Sequence, residues 1–120
     1  MEVPILKQGE ILIATVQAAL TDSDLLQLRR ALVEKVAKAR ARAIIIDLTA
    51  MDVMDSFASR TMREVAHMIR LRGAETVIVG IQPDVAFAMV QLGLTMGGVT
   101  TALDLEEGLE YLHRKFRTIL

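Results

Sequence analysis

The sequence predicts an α/β domain built on a mixed, mostly parallel β-sheet. Three observations predict it. Two short runs rich in β-branched residues, Ala-Ile-Ile-Ile-Asp-Leu at 43–48 and Thr-Val-Ile-Val-Gly-Ile at 76–81, read as strands buried on both faces. Segments with apolar residues at three- and four-residue spacing lie between and around them. The two patterns alternate in the order ββαβαβαβα, which implies parallel strands joined by right-handed crossovers.

Ile5 and Leu6 open a first strand over 4–7. Gln8-Gly9-Glu10 turns the chain into a second strand over 11–17, a hairpin that supplies an edge strand. Thr21 and Asp24 form a variant of the capping box. Leu25, Leu28, Leu32 and Val36 then mark the inner face of a helix over 22–40. A second helix runs from Ser56 to Leu71, with Ala58, Met62, Val65, Ala66 and Ile69 inward. Ser59, Arg60, Arg63, Glu64, His67 and Arg70 fall largely outside that stripe, and Gly73 ends the helix. Pro83 starts a short third helix that stops near Gly93. Thr95-Met96-Gly97-Gly98 leads into a short strand near 99–103. Asp104, with Glu107, caps a fourth helix whose buried stripe is Leu105, Leu109, Leu112 and Phe116.

At 120 residues the chain is sized for one domain, 1–120. Hydrophobic residues make up 52%, more than so small a domain can hide alone, so self-association or a partner is expected to cover some of them. A formal charge of −1 and 3% aromatics argue against nucleic-acid binding. The chain has no cysteine, which removes disulfides, thiolate metal sites and cysteine nucleophiles. No apolar run reaches the ~18 residues of a membrane span, and Met1-Glu2-Val3-Pro4 does not open a secretion signal, so a cytoplasmic protein is expected.

Catalytic constellations are missing. The two histidines, His67 and His113, fall on different helices and lack metal-ligand spacing. Neither phosphate-cradling glycine motif occurs, and Gly97-Gly98 reads as a turn. Ser56 lies at a strand-to-helix turn, as hydrolase nucleophiles do, but Asp55-Ser56-Phe57 lacks the flanking glycines of the strained elbow. No cofactor, metal or enzymatic activity is expected.

Ser56 retains two readings. It can cap the second helix, a role Asp55 could take one residue earlier, worth roughly 1 kcal/mol. Alternatively its hydroxyl accepts a phosphate. A phosphoserine adds about −1.5 to −2 charges. Asp52 and Asp55 would repel that charge, and Arg60 would offset it in part. A bound partner matched to the neutral serine would then be opposed.

The chain resembles the STAS domain, the fold of anti-sigma-factor antagonists, over essentially its full length. The resemblance rests on Ile46-Asp47-Leu48-Thr49, Asp55-Ser56-Phe57, Gly80-Ile81-Gln82-Pro83, Thr101-Ala102-Leu103-Asp104-Leu105-Glu106 and Gly108-Leu109-Glu110. It is strongest to RsbS-type stressosome scaffold proteins, because the commoner antagonists carry Ser-Gly or Thr-Gly where this chain has Ser56-Phe57. The resemblance implies a STAS-type sheet with about four helices and Ser56 as the phosphorylated residue. Asp52, Asp55, Phe57, Ser59 and Arg60 would face the partner, with Ser59 and Thr61 the competitors to Ser56 as phosphate acceptor. It further implies an RsbT-like serine/threonine kinase, RsbR-like sensor paralogues with C-terminal STAS domains, and a PP2C-type phosphatase as partners. A free antagonist that binds an anti-sigma-factor kinase is a second expectation. A third is a small nucleotide- or ligand-binding module, in which the glycine segment and the helix starts at Ser56, Pro83 and Asp104 share one crevice.

Overall fold

The computed structural model describes residues 3–17, 20–94 and 96–118. Met1, Glu2 and Thr95 of the segments discussed above lie outside them. Five strands form one sheet in the sequential order β1-β2-β3-β4-β5. Their bounds are β1 Ile5–Gln8, β2 Ile11–Thr15, β3 Ala43–Asp47, β4 Glu75–Val79 and β5 Thr100–Ala102. β1 pairs antiparallel with β2, and every later pair is parallel. The helices are α1 Asp22–Ala39, α2 Ser56–Leu71, α3 Pro83–Gln91 and α4 Leu105–Thr118. Element type and order match the sequence reading. The differences are confined to ends: β2 and β5 stop short, and α3 closes two residues before Gly93.

The runs at 43–46 and 77–79 are apolar and buried because helices cover both faces of the sheet. Leu12, Ala14, Ile44, Ile46 and Ile78 point to one side, where they meet Leu25, Leu28, Leu32 and Val36 of α1, Met62, Val65 and Ile69 of α2, and Val85 and Met89 of α3. Ile11, Ile13, Ala43, Ile45, Val77 and Val79 point to the other, against Leu112 of α4. The period-two alternation thus splits one run between two cores. The α1 stripe is buried as the spacing predicts. The α2 stripe is wider than predicted and takes in Ser59 and Thr61, both buried. α2 packs on α1 as well as on the sheet, so two sides of it are covered. On the opposite face α4 stands alone. Only Leu112 of its predicted stripe is fully buried, while Leu105, Leu109 and Phe116 are half-buried. Leu112→Ala should therefore cost about 2–5 kcal/mol, measured by denaturant unfolding, because no other side chain of that stripe reaches as deep.

Caps fix the helix starts. In α1, Thr21 accepts from Asp24 N–H at 3.1 Å, and the Asp24 carboxylate accepts from Thr21 N–H at 3.1 Å. That bond to the Thr21 amide holds the Asp24 carboxyl below the ordinary carboxylate range. In α4, Asp104 accepts from Glu107 N–H at 2.9 Å. Among the described residues no helix is long and apolar enough to cross a membrane.

Candidate functional site

Parallel strands place all their C-terminal ends on one edge of the sheet. The loops leaving β3 and β4 and the starts of α2 and α3 therefore lie together there. The β3–α2 loop, residues 48–55, is pinned by three buried side chains, Leu48, Met51 and Met54. A turn bond from Met51 N–H to the Leu48 carbonyl at 2.9 Å bends it. Asp52, Val53, Asp55 and Ser56 are exposed between and beyond these anchors. A buried–exposed–exposed repeat in the loop thus sets which residues project.

A small network fastens the base of the loop. Asp47 ends β3, and its Oδ1 accepts from Thr49 N–H at 2.9 Å and from Thr49 Oγ1 at 2.6 Å. This is an Asx-type turn, with the side chain bonding two residues onward. Gln82 Nε2 donates to the Thr49 carbonyl at 2.5 Å, tying the start of α3 to the loop. Gly80 sits under this network with φ +78°, a left-handed conformation that favours glycine. A Cβ there would overlap Thr49 Oγ1 and approach the Asp47 carboxylate to 3.0 Å.

Asp55, not Ser56, is the N-cap of α2: its Oδ1 accepts from Ala58 N–H at 2.8 Å. The capping reading of Ser56 is thereby corrected. Ser56 is the first residue of the helix, and its side chain is not needed to satisfy the helix end. Asp55→Ala should cost about 1 kcal/mol in chemical unfolding. Ser56→Ala should cost less, because the cap stays in place.

The neighbours of Ser56 divide sharply. Phe57 is half-buried and packs on the main core, and Arg60 lies 5.9 Å from its ring centroid, exposed one turn beyond Ser56. Ser59 is 0% exposed and Thr61 2%. Thr61 Oγ1 donates to the Phe57 carbonyl at 2.8 Å. The expectation that Ser59 faces a partner is overturned, since the flank of α2 that carries it is covered. Neither hydroxyl is available as a secondary phosphosite without opening the helix. His67 and His113 are exposed on separate helices, and the described residues include no three-ligand cluster for a metal.

The expected crevice of glycine segment and helix starts does not form. The segment precedes a parallel strand and so lies at the opposite edge of the sheet. There Gly98 rests near Arg70 and His67, and Arg70 donates to its carbonyl.

Sequence reasoning missed an apolar patch beside the site. α3 buries Val85 and Met89 in the same core cluster as Met51, Met54 and Phe57. Its outer face leaves Phe87 65% and Val90 77% exposed. Too many of its positions are apolar for one face. That surplus was the available signal.

This geometry belongs to a known family. The STAS domain model matches residues 2–107, and the chain belongs to that family. A serine-to-glutamate variant of RsbS from Moorella thermoacetica is similar in structure, with a TM-score of 0.83 and 31% identity over 98% of this chain and 99% of that one. A chain from the solved stressosome, described as a signal integration and transduction hub, gives a TM-score of 0.77 at 29% identity, over 95% and 99% of the two chains. Among curated proteins, RsbT co-antagonist protein RsbRA of Bacillus subtilis (strain 168) is 30% identical over 79 residues, 66% of this chain. The matched region is 29% of the length of that relative.

Proposed function

We propose that this chain is a non-catalytic scaffold of a stressosome-like assembly, in which phosphorylation of Ser56 releases a bound serine/threonine kinase. The observation that carries the reading is the presentation of Ser56. Its side chain is exposed on the first residue of a helix, held out by a loop that two buried methionines anchor. The co-antagonist relatives are named for RsbT, which suggests an RsbT-like kinase as the partner of this edge. RsbR-like sensors with C-terminal STAS domains would co-assemble with the chain in the cytoplasm, and a PP2C-type phosphatase would reset it.

The switch is electrostatic. Asp55 already accepts the Ala58 N–H at the start of α2, so a phosphate on Ser56 would add charge where a carboxylate already occupies the helix end. It would add about −1.5 to −2 charges next to Asp55 and near Asp52, with Arg60 the nearest cation along the helix. A kinase surface that covers Phe87 and Val90 while touching neutral Ser56 would lose complementarity to the phosphorylated form. A pull-down with the immobilised kinase tests this. Ser56→Asp should retain at least tenfold less kinase than Ser56→Ala, and equal retention would refute the electrostatic switch.

A further inference from the structure

Ser56, Arg60 and Arg63 share one face of α2. At 3.6 residues per turn they fall within about 60° of one another, with Arg60 about 6 Å and Arg63 about 10 Å along the axis from Ser56. Ser56 and Arg60 are exposed, and Arg63 is half-buried. The same face continues through His67 to Arg70 and holds no carboxylate.

The fold leaves the charges of Arg60 and Arg63 without a carboxylate partner among the described residues. Glu64, one turn beyond Arg60, is held by Arg29 of α1 at 2.9 Å. Arg60 lies 5.9 Å from the Phe57 ring centroid, near the outer limit of a cation–π contact. Arg63 Nε is buried and has no hydrogen-bond partner among the described residues. A desolvated N–H on a cation costs stability until an acceptor reaches it. Dipole compensation accounts for Arg70 in the last turn of α2, but not for two arginines in its first half. What covers this face follows from Ser56. A kinase that phosphorylates Ser56 must close over the start of α2, and a standard interface covers about 800 Å² on each partner. A footprint centred on Ser56 therefore takes in both arginines.

We propose that Arg60 and Arg63 receive an acidic patch of the kinase that acts on Ser56, with its carboxylates engaging the two guanidinium groups. The inference rests on the scaffold reading and deepens it, because it supplies the charge that opposes the phosphate. Asp52 and Asp55 belong to the same molecule as Ser56, so their repulsion is present whether or not the kinase is bound. Carboxylates of the kinase meet the phosphate only in the complex. A phosphate on Ser56 repels them there. It also competes for Arg60, four residues on, in the orientation that favours an anion–cation pair along a helix.

Surface plasmon resonance of the full, unphosphorylated chain on immobilised RsbT-like kinase tests the patch. Arg60→Gln with Arg63→Gln should weaken binding at least tenfold, and Arg60→Lys with Arg63→Lys should recover most of it, because lysine keeps the charge. Lys38→Gln with Arg72→Gln removes the same charge at the C-terminal ends of α1 and α2 and should leave binding unchanged. Raising NaCl from about 0.05 M to about 0.5 M should cost the wild type about tenfold in affinity and the Arg60, Arg63 glutamine variant less than about threefold, since screening acts on the pairs that variant lacks. Circular dichroism confirms that each variant is folded. Arg60→Gln alone, at an exposed position, should weaken binding at least threefold and serves if the Arg63 change unfolds the chain. Wild-type affinity in a folded glutamine variant would overturn the proposal. So would a lysine variant no better than the glutamine one, or an equal loss in the Lys38, Arg72 variant. A kinase that binds the wild type and ignores the arginines strikes the acidic patch alone, whereas one that does not bind the unmodified wild type strikes the scaffold reading with it.

Discussion

Ser56→Ala is expected to take up no phosphate when incubated with an RsbT-like kinase and ATP, whereas the unsubstituted chain takes up one, mapped to Ser56 by mass spectrometry. The expectation rests on access. Ser56 is exposed, whereas Ser59 and Thr61 are 0% and 2% exposed within the same helix. Phosphorylating either buried hydroxyl would require the first turns of α2 to open, and the Asp55 cap and the anchors Met51 and Met54 oppose that opening. The substituted protein should keep its fold, because the helix cap is Asp55. Phosphate on Ser59 or Thr61 in the folded chain would contradict the assignment.

Gly80→Ala is expected to destabilise the protein by about 2–4 kcal/mol and to lower its Tm by roughly 10 °C. Two costs combine. The left-handed φ of +78° disfavours any Cβ, by about 1–2 kcal/mol. In addition, the new methyl would displace Thr49 from its place against Asp47 and Gln82. Gly9→Ala separates the two costs, since Gly9 has φ +62° with open space around it and should show the conformational cost alone. Equal losses in the two variants would mean that the Gly80 contact does not hold the loop. If it does hold the loop, Gly80→Ala should also slow phosphorylation of Ser56 more than its effect on the folded fraction explains.

The fold was legible because its signals are local. The β-branched runs at 43–48 and 76–81 had no competing helical pattern, and Leu25, Leu28, Leu32 and Val36 marked a face that is buried in full. The Asp-Ser-Phe stretch was legible as a special position on a strand-to-helix turn. What failed was any reading that depended on neighbours distant in sequence. Ser59 and Thr61 are buried on a helix that packs on both α1 and the sheet, which a single-helix stripe does not reveal. Asp55 and Ser56 are both good caps by composition, and the backbone path of the loop decided between them. The glycine segment could not share a crevice with the helix starts, because a parallel strand must begin at the other edge of the sheet. The Asp47–Thr49–Gly80–Gln82 network joins residues more than thirty positions apart, and only the β3–β4 pairing brings them together.

The central claim is that phosphate on Ser56 removes a kinase that the unmodified chain holds. Surface plasmon resonance with immobilised kinase measures this directly, on one preparation before and after stoichiometric phosphorylation. The account predicts at least a tenfold loss of affinity, restored when a PP2C-type phosphatase removes the phosphate. Unchanged or tighter kinase binding by the phosphorylated chain would contradict it.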